Sequence, residues 1–332
     1  MMIDLNPCLR IGVVVIGRNE GERLVRCLHS LIGEVKKIVY VDSGSTDDSV
    51  SHANKLGVQV VMLNLNVPFT AARARNEGFQ QLIESAPEIE YVQFVDGDCE
   101  VASNWISDAS NFLDGNTHYA VVCGRRRERY PEKSIFNYMC DSEWDTPIGD
   151  SKACGGDALM RVKAFQQVEG FRVQLIAGEE PELCLRLRAK GYSIKRLDLE
   201  MTLHDAAMTK FNQWWKRTTR AGYAFAEGSY LHGAAPERHW VKESRRALIW
   251  GLAIPTVTFL IYIFCWQLSV IVAMVYPLQI MRLALKNKNE SKQHVWTTAF
   301  YNVLGKFAEM FGQLRFYYQR LFSIPSALIE YK

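Results

Sequence analysis

The stretch Phe94-Val95-Asp96-Gly97-Asp98 ends a short apolar run with two carboxylates one residue apart. At the end of a strand, such a pair can reach a hard divalent cation, which in turn can hold the oxygens of a diphosphate. Acidic turns after strands are common, so the same pattern also fits an ordinary turn. The stretch is therefore a candidate metal site whose meaning depends on the strands around it.

Two further apolar runs upstream end in polar residues in the same way. Residues 11–16 are followed by Gly17-Arg18-Asn19-Glu20, and residues 37–41 are followed by Asp42-Ser43-Gly44-Ser45-Thr46-Asp47. Three strands that each deliver polar groups at their carboxyl ends are typical of a nucleotide site on an open α/β sheet.

Apolar runs and helical periodicity alternate along the first part of the chain. We predict strands at 11–16, 37–41, 58–62, 91–95 and 119–123, and helices at 20–32, 46–56, 70–84 and about 103–113. The alternation predicts an α/β fold with a mainly parallel, doubly wound sheet.

Charge is distributed unevenly over the 332 residues. Residues 1–204 carry 23 Lys and Arg against 29 Asp and Glu, whereas residues 205–332 carry 16 against 7. This asymmetry fits a soluble domain with an acidic site joined to a basic, membrane-facing region, which we place at 1–230 and 231–332. No basic run interleaved with aromatics points to nucleic acid as a partner.

Cysteine usage and the N-terminus both favour a cytosol-facing protein. The eight cysteines form no CxxC pair, and several lie in apolar runs, which indicates reduced, buried thiols. The first ten residues are mixed in character and lead directly into a strand, so we expect no signal peptide.

A long uncharged segment runs from residue 247 to residue 281. Its 35 residues would form a helix of roughly 50 Å, against a hydrocarbon core of about 30 Å, so two passes that turn near Cys265-Trp266-Gln267 fit better. Basic residues on both sides place both ends in the cytoplasm: Arg245, Arg246, Arg282, Lys286, Lys288 and Lys292. A re-entrant hairpin and a buried helical pair are alternatives. Residues 294–318 have the pattern of an amphipathic helix in the membrane interface.

Six short motifs, in their order along residues 10–225, resemble the family 2 glycosyltransferases of GT-A fold. The resemblance rests on motifs that are individually modest: Asn19-Glu20, Val41-Asp42-Ser43-Gly44-Ser45-Thr46-Asp47, Ala74-Arg75-Asn76-Glu77-Gly78, Asp96-Gly97-Asp98, Gly155-Gly156-Asp157 and Gly178-Glu179-Glu180-Pro181-Glu182-Leu183. The roles of the individual residues are implied by this resemblance.

The resemblance implies a nucleotide end of the site. Glu20 and Asp42 match the residues that contact the base and ribose in the family, with Asn19 and Ser43 beside them. An Asx-turn and helix cap is the structural alternative for residues 42–47. Arg75 and Arg73, early in a predicted helix, could reach a phosphate, although a surface salt bridge is equally compatible with Arg73.

The resemblance also implies a metal and a catalytic base. Asp96 and Asp98 match the motif that places Mg²⁺ or Mn²⁺ on the donor diphosphate, and His204 resembles a third ligand, although a lone histidine is often structural. Glu180 holds the position of the base, where the family usually has Asp, and the neighbouring Glu179 could share the role. Acidic residues at a helix start give an alternative, compatible interpretation.

Three segments are candidates for acceptor or phosphate binding. The turn at Gly156 and Asp157 could meet a sugar, or could be a plain turn. Trp214 and Trp215 could form an acceptor platform with Arg217 as a phosphate clamp, or belong to an interfacial helix, the interpretation we favour. Residues 125–129, Arg-Arg-Arg-Glu-Arg, could face an anionic lipid diphosphate or be solvated.

Taken with the uncharged segment, the resemblance implies a membrane-associated, inverting, metal-dependent glycosyltransferase on the cytoplasmic face of the inner membrane. It would move a sugar from a nucleotide donor, with UDP-linked sugars favoured, to a lipid-linked or polysaccharide acceptor in cell-surface polysaccharide biosynthesis. Membrane lipids would be its further partners. A nucleotidyltransferase and a non-catalytic, membrane-anchored scaffold that binds nucleotide sugars are the alternatives, and the first would favour a Gly-rich phosphate loop that residues 17–21 lack.

Overall fold

The computed structural model describes residues 10–286, 293–324 and 329. Cys8, Lys288 and Lys292 of the sequence predictions lie outside these residues. The chain divides into two compact units, and the first contains Met1–Pro131, Cys140–Leu175 and Glu179–Ala207. The second unit contains Glu132–Met139, Ile176–Gly178 and Met208–Lys332, so it begins earlier than the predicted boundary after residue 230.

The first unit is built on a sheet that has nine strands within the described residues. The strands are β1 (Ile11–Gly17), β2 (Lys37–Asp42), β3 (Gln59–Met62), β4 (Tyr91–Asp96), β5 (Cys99–Val101), β6 (Tyr119–Glu128), β7 (Gly149–Ser151), β8 (Ala158–Arg161) and β9 (Ser193–His204). Their order is β3-β2-β1-β4-β8-β6-β9-β5, with β7 pairing to β9.

One half of the sheet is parallel and carries the predicted motifs. β3, β2, β1 and β4 pair in parallel, whereas β8 runs antiparallel between β4 and β6. β6 and β9 are again parallel, and β5 and β7 pair antiparallel to β9. The predicted α/β class is confirmed, and the complete sheet is mixed.

Helices cover this sheet, and the four that the sequence predicted begin and end within about three residues of their predicted bounds. Those of the first unit are α1 (Glu22–His29), α2 (Ser49–Lys55), α3 (Ala71–Ser85), α4 (Trp105–Gly115), α6 (Val162–Gln167) and α7 (Glu179–Ala189), while α5 (Ile135–Trp144) runs from the second unit into the first. β1, β2 and β4 are buried along nearly their whole length, as expected for parallel strands covered on both faces. The core that results fixes the carboxyl ends of the strands.

The second unit is helical. Its longer elements are α8 (Phe211–His232), α9 (Val241–Leu248), a π-helical stretch (Ile249–Ala253), α10 (Ile254–Phe264), α11 (Trp266–Ala273), α12 (Val275–Lys286) and α13 (Val295–Leu321). A Cβ atom at Gly222 would overlap the backbone of Glu309, and one at Gly312 would overlap the backbone of Thr219. α8 and α13 therefore approach to backbone contact, which explains why α8 belongs to this unit.

Two helical segments of this unit are long and apolar enough to cross a membrane. They are Val241–Phe264, with a mean hydropathy of 2.1 in its most apolar window, and Trp266–Lys286, with 1.8. Each window is only 11% buried, so these side chains do not form a protein core. The helices break at Cys265, where the sequence predicts a turn. α13 covers the predicted interfacial helix at 294–318, whose position in a membrane interface stays a prediction.

Candidate active site

The ends of three parallel strands bring the polar motifs to one edge of the sheet. In the register, Gly17 of β1 pairs with Asp42 of β2, and Ile16 pairs with Asp96 of β4. The strand order reverses at β1, which has β2 on one side and β4 on the other. Ligands bind outside the carboxyl ends of strands at such a switch point. A Cβ atom at Gly97 would lie 3.2 Å from the carbonyl oxygen of Ile16, so glycine lets the turn after β4 lie against β1.

Asp42 organises the turn that follows β2. Its carboxylate is fully buried and accepts hydrogen bonds from the Tyr40 hydroxyl at 2.8 Å and from the backbone N–H groups of Gly44 at 3.0 Å and Ser45 at 2.8 Å. The Asx-turn expected as an alternative is therefore present. The Oγ atom of Ser43 is buried and has no hydrogen-bond partner within the described residues.

The loop after β1 is tied to this turn. Asn19 has a positive φ of 59° and accepts a hydrogen bond from the Thr46 N–H at 2.7 Å through Oδ1. Its own N–H donates to Ser45 Oγ at 2.9 Å. Glu20 lies 2.8 Å from a guanidinium nitrogen of Arg23. The loops after β1 and β2 thus meet at the edge of the sheet. They carry Asn19 with Glu20, and Asp42 with Ser43.

Arg75 contacts three carboxylates from two parts of the chain, the end of β4 and the start of α7. From α3, its Nη2 donates to Asp96 Oδ1 at 2.9 Å, and its Nη1 lies 2.7 Å from Glu179 Oε1 and 2.9 Å from Glu180 Oε1. Only 3% of its side chain is exposed. Burial alone would lower the pKa of Arg75, but Glu180, Asp96 and Glu179 outweigh it and raise that pKa, so the guanidinium stays charged.

Glu180 is a carboxyl group of this cluster whose pKa is raised. Burial and the neighbouring charge of Glu179 raise the pKa of Glu180 to about 7, against the opposing effect of Arg75. Glu179 and Glu180 are the first residues of α7. A Cβ atom at Gly156 would lie 3.3 Å from Glu180 Oε1, 3.1 Å from Asp96 Oδ2 and 2.8 Å from Arg75 Nη2. The turn at Gly156 therefore lies directly against the cluster.

Arg126 of β6 is a second guanidinium at Asp96. Its Nη2 donates to Asp96 Oδ2 at 3.0 Å and contacts Cys99 Sγ at 3.2 Å, and its Nε lies 3.4 Å from Asp157 Oδ2. Burial would raise the pKa of Asp96, but Arg75 and Arg126 together hold it well below its usual range. Asp96 is thus an anion with each oxygen bonded to a different arginine.

Asp157 supports this arrangement from beneath. It is fully buried, its Oδ1 accepts from the backbone N–H of Asp96 at 3.1 Å, and its Oδ2 accepts from Thr202 Oγ1 at 2.7 Å. A side chain enclosed in this way positions the end of β4, and the acceptor contact that the sequence suggested stays a prediction.

Asp98 and His204 form a buried pair beside the arginines. His204 Nε2 lies 3.2 Å from Asp98 Oδ2, and its Nδ1 lies 3.5 Å from Glu128 Oε2. Burial, helped by Arg126, lowers the pKa of His204, so its imidazole is neutral at pH 7. Carboxylate and neutral imidazole are ligands of divalent cations, and a carboxylate behind a histidine ligand is a frequent companion.

These residues fit a divalent ion. One ligand atom each from Asp98, Cys99 and His204 lies within 4.8 Å of the other two. Because both oxygens of Asp96 are bonded to arginines, Asp98 and His204 are the residues best placed to hold the ion. The sequence predicted Asp96 in this role as well, and one ligand atom each from Asp96, Cys99 and Asp157 also lies within 4.8 Å of the other two, so this role of Asp96 stays a prediction.

The other predicted site residues lie in structural environments. Arg73 bonds to Glu77 and to the carbonyl oxygens of Asn64 and Val67, so it braces the loop before α3. In the second unit, Trp214 is buried and stacks on Phe136 at 5.7 Å. Trp215 and Arg217 follow on the same helix, α8. These contacts favour a role for Trp214 in helix packing over a role as an acceptor platform.

The sequence offered residues 125–129 as a group, either facing a lipid diphosphate or solvated, and did not single out Arg126 and Glu128. Both lie on β6, where alternation places them on the face that meets Asp96 and His204. Arg125 and Arg127 turn the other way, to Asp141 and Glu200. The alternation was readable within the Arg-Arg-Arg-Glu-Arg run, although the irregular register of β6 with β9 obscures it.

Comparison with known proteins relates part of the chain to glycosyltransferases. Residues 12–168 match the model of Glycosyl transferase family 2. Two curated relatives, uncharacterized glycosyltransferases of Rickettsia conorii and Rickettsia felis, are 40% and 38% identical over 53 residues, which are 16% of this chain and 19% of each relative. The match thus spans about a fifth of the length of these relatives.

A solved structure shares the fold over most of its length. It is a mannosyltransferase from Pyrobaculum calidifontis in complex with GDP-mannose and Mn²⁺, with a TM-score of 0.65 and 16% identity, and the likeness covers 92% of this chain and 87% of that chain. At this identity the likeness concerns the fold. Residues 12–168 are thus similar to glycosyl transferase family 2, and the chain has a GT-A-type α/β fold.

Proposed function

We propose that this chain is an inverting, metal-dependent glycosyltransferase that moves a sugar from a nucleotide donor to an acceptor hydroxyl. The observation that carries the proposal is Glu180. It is a carboxyl group with a pKa of about 7, held by Arg75 at the edge of the sheet where the Asp98–His204 pair also lies. A base, a fixed cation and a metal-ligand pair are the parts that a single displacement at a sugar carbon needs.

Glu180 acts as the base in this proposal. A pKa near the operating pH lets a carboxylate accept a proton in the transition state while about half of it is ionised beforehand. The acceptor oxygen forms its bond to the anomeric carbon as its proton passes to Glu180, and attack from the face opposite the leaving group inverts that carbon. Glu179 is bonded to Arg75 and keeps Glu180 close to it through their shared helix start.

Asp98 and His204 would hold Mg²⁺ or Mn²⁺ at this edge. A divalent cation supplies Lewis-acid assistance to departure of the nucleoside diphosphate. Glu128 keeps the His204 ring oriented, because its carboxylate lies behind Nδ1.

The two loops after β1 and β2 would receive the nucleoside, through Asn19, Glu20, Asp42 and Ser43. The buried Ser43 Oγ, which has no hydrogen-bond partner within the described residues, would gain one from the ligand. Asp42 would act by holding the turn, since its carboxylate is already bonded three times.

The apolar helices of the second unit support membrane attachment and hence a membrane-borne acceptor. Their side chains are largely exposed, and Arg245, Arg246, Arg282 and Lys286 flank them. Exposed apolar surface of this extent favours lipid, and basic flanks favour the cytoplasmic side of the inner membrane. The acceptor would then be a lipid-linked sugar or a growing polysaccharide of the cell surface, met at high effective concentration by a tethered enzyme.

A panel of nucleotide sugars tests the proposal. Detergent-purified protein is incubated with UDP- and GDP-linked sugars in Mn²⁺, in Mg²⁺ or in EDTA, with and without native membrane lipid, and released nucleoside diphosphate is measured. GDP-linked sugars belong in the panel because the structural relative was solved with one. Metal-dependent release from one donor is expected. No release from any donor, even with membrane lipid, would contradict the proposal and favour a binding scaffold.

A further inference from the structure

Arg126 differs from Arg75, the other arginine at Asp96, in having a terminal nitrogen that makes no bond to a carboxylate. Arg75 contacts Asp96, Glu179 and Glu180 through both of its terminal nitrogens, and it is almost fully buried. Arg126 uses Nη2 on Asp96 and Cys99 and points Nε toward Asp157, and its Nη1 donates no hydrogen bond within the residues that the structure describes. The Arg126 side chain is 14% exposed, against 3% for Arg75.

The rest of the guanidinium is held rigidly. Asp96 and Asp157 form ion pairs along one edge of the Arg126 guanidinium. The Trp144 ring lies 4.9 Å from its central carbon, a cation–π contact. The same ring packs edge-on against His204 at 4.7 Å. A cation fixed by its surroundings can stabilise charge that develops nearby without reorganising.

The position of this cation matches where negative charge would arrive. Arg126 contacts both Asp96 and Cys99, the residues on either side of the turn that carries Asp98. Asp98 with His204 is the pair that would hold the divalent ion on a diphosphate. Arginine binds phosphate oxygens through charge-assisted hydrogen bonds, and this one has an unused N–H at that turn.

We propose that Arg126 binds the donor's diphosphate, at the phosphate that carries the sugar, and neutralises it as it leaves. This inference rests on the proposed function. In the transfer, the acceptor oxygen bonds to the anomeric carbon, the bond from that carbon to the phosphate oxygen breaks, and its electron pair remains on the departing nucleoside diphosphate. The acceptor proton goes to Glu180. Arg126 would neutralise charge on the leaving group, and a divalent cation held by Asp98 and His204 would assist when bound.

Replacement of Arg126 should leave the fold intact. In Arg126→Gln, Asp157 keeps its bonds from Thr202 and from the Asp96 N–H, and Asp96 keeps Arg75. Arg126→Lys retains the charge without the planar fork. Arg127→Gln is the matched control, because the neighbouring Arg127 pairs with Glu200 at the surface and both side chains are about half exposed.

The experiment compares nucleoside diphosphates with monophosphates. Binding of UDP, UMP, GDP and GMP to wild type, Arg126→Gln, Arg126→Lys and Arg127→Gln is measured by calorimetry in Mn²⁺, with a melting curve for each variant. Loss of a charge-assisted bond should weaken diphosphate binding in Arg126→Gln roughly 10- to 100-fold, with monophosphate binding unchanged. Arg126→Lys should fall between this variant and wild type, and Arg127→Gln should match wild type.

The outcomes separate the two claims. If wild type binds neither diphosphate, both the proposed function and this inference fail. If wild type binds a diphosphate and Arg126→Gln binds it equally well, this inference alone is overturned. Equal losses of monophosphate and diphosphate binding in both Arg126 variants would also overturn it, because they would indicate a purely structural residue.

Discussion

Gly156 offers the sharpest test of the geometry around Glu180, because its neighbour Gly155 is a built-in control. A methyl group at Gly156 would lie 2.8 Å from Arg75 Nη2, 3.1 Å from Asp96 Oδ2 and 3.3 Å from Glu180 Oε1. The same group at Gly155 would meet nothing within 4 Å. Neither glycine has a positive φ, so alanine does not strain the backbone at either position.

The expected cost depends on the atoms that the methyl group displaces. Arg75 cannot swing away freely, because three carboxylates hold its terminal nitrogens. Overpacking a tight site costs about 1–3 kcal/mol of stability. A shift of about 1 Å in the Arg75–Glu180 pair should reduce turnover on the order of 100-fold, since catalytic groups tolerate little misplacement.

The assay is release of nucleoside diphosphate from the preferred donor, with a melting curve for each variant. We expect Gly155→Ala to retain wild-type turnover within about twofold, and Gly156→Ala to lose turnover while it remains folded. Near-normal turnover in Gly156→Ala would refute the view that the Arg75–Glu180 arrangement is needed for the reaction. An equal loss in Gly155→Ala would show that the turn itself, and not the methyl contact, is responsible.

Four further predictions concern pH, charge, metal and membrane. Because the base must be ionised and the pKa of Glu180 is about 7, turnover should fall about tenfold per unit as pH drops below 6 and level off above 7; a flat profile would exclude this base. Arg75→Gln leaves buried carboxylates unpaired and should cost about 3–5 kcal/mol of unfolding free energy in a denaturant titration, whereas an unchanged midpoint would contradict the ion-pair account. Glu128→Gln, behind His204, should raise the Mn²⁺ concentration for half-maximal turnover about 10- to 100-fold, and an unaltered metal titration would argue against His204 as a ligand. Leu260→Arg, on the exposed face of α10, should make insertion of this helix into a bilayer less favourable by about 2.5–3.5 kcal/mol. Weaker flotation with anionic vesicles would report this change, and unchanged flotation would contradict insertion of this helix.

Local patterning was enough to predict the parallel half of the sheet. The runs at 11–16, 37–41 and 91–95 are continuous, apolar and rich in β-branched residues, and each becomes a strand within one residue of the predicted bounds. Their ends carry Asp42, Asp96 and Asp98, so the edge that holds the site was predictable as well.

The other half of the sheet, where β8 runs antiparallel, was not predictable in the same way. β8 is only four residues long, and nothing in Ala158–Arg161 shows that it pairs between β4 and β6. Short buried strands lack a period that distinguishes them from other apolar runs. The early start of the helical unit has a similar cause, since α8 joins α13 through glycine contacts far apart in sequence.

Within the site, the sequence identified the chemical groups but not their partners. The predicted metal ligands were Asp96, Asp98 and His204, and the structure pairs Asp98 with His204 while two arginines bond to Asp96. Such pairings depend on side-chain contacts between residues 20 to more than 100 positions apart. The motif order alone carries no information on those contacts.

The most direct test of the central claim is Glu180→Gln, which removes the base and keeps its size. Donor binding and metal-dependent turnover are measured side by side for this variant and wild type, with acceptor lipid present. The account predicts that the variant binds the donor diphosphate as tightly as wild type and has lost nearly all turnover. Unchanged turnover in Glu180→Gln would contradict the assignment of the base and, with it, the proposed mechanism.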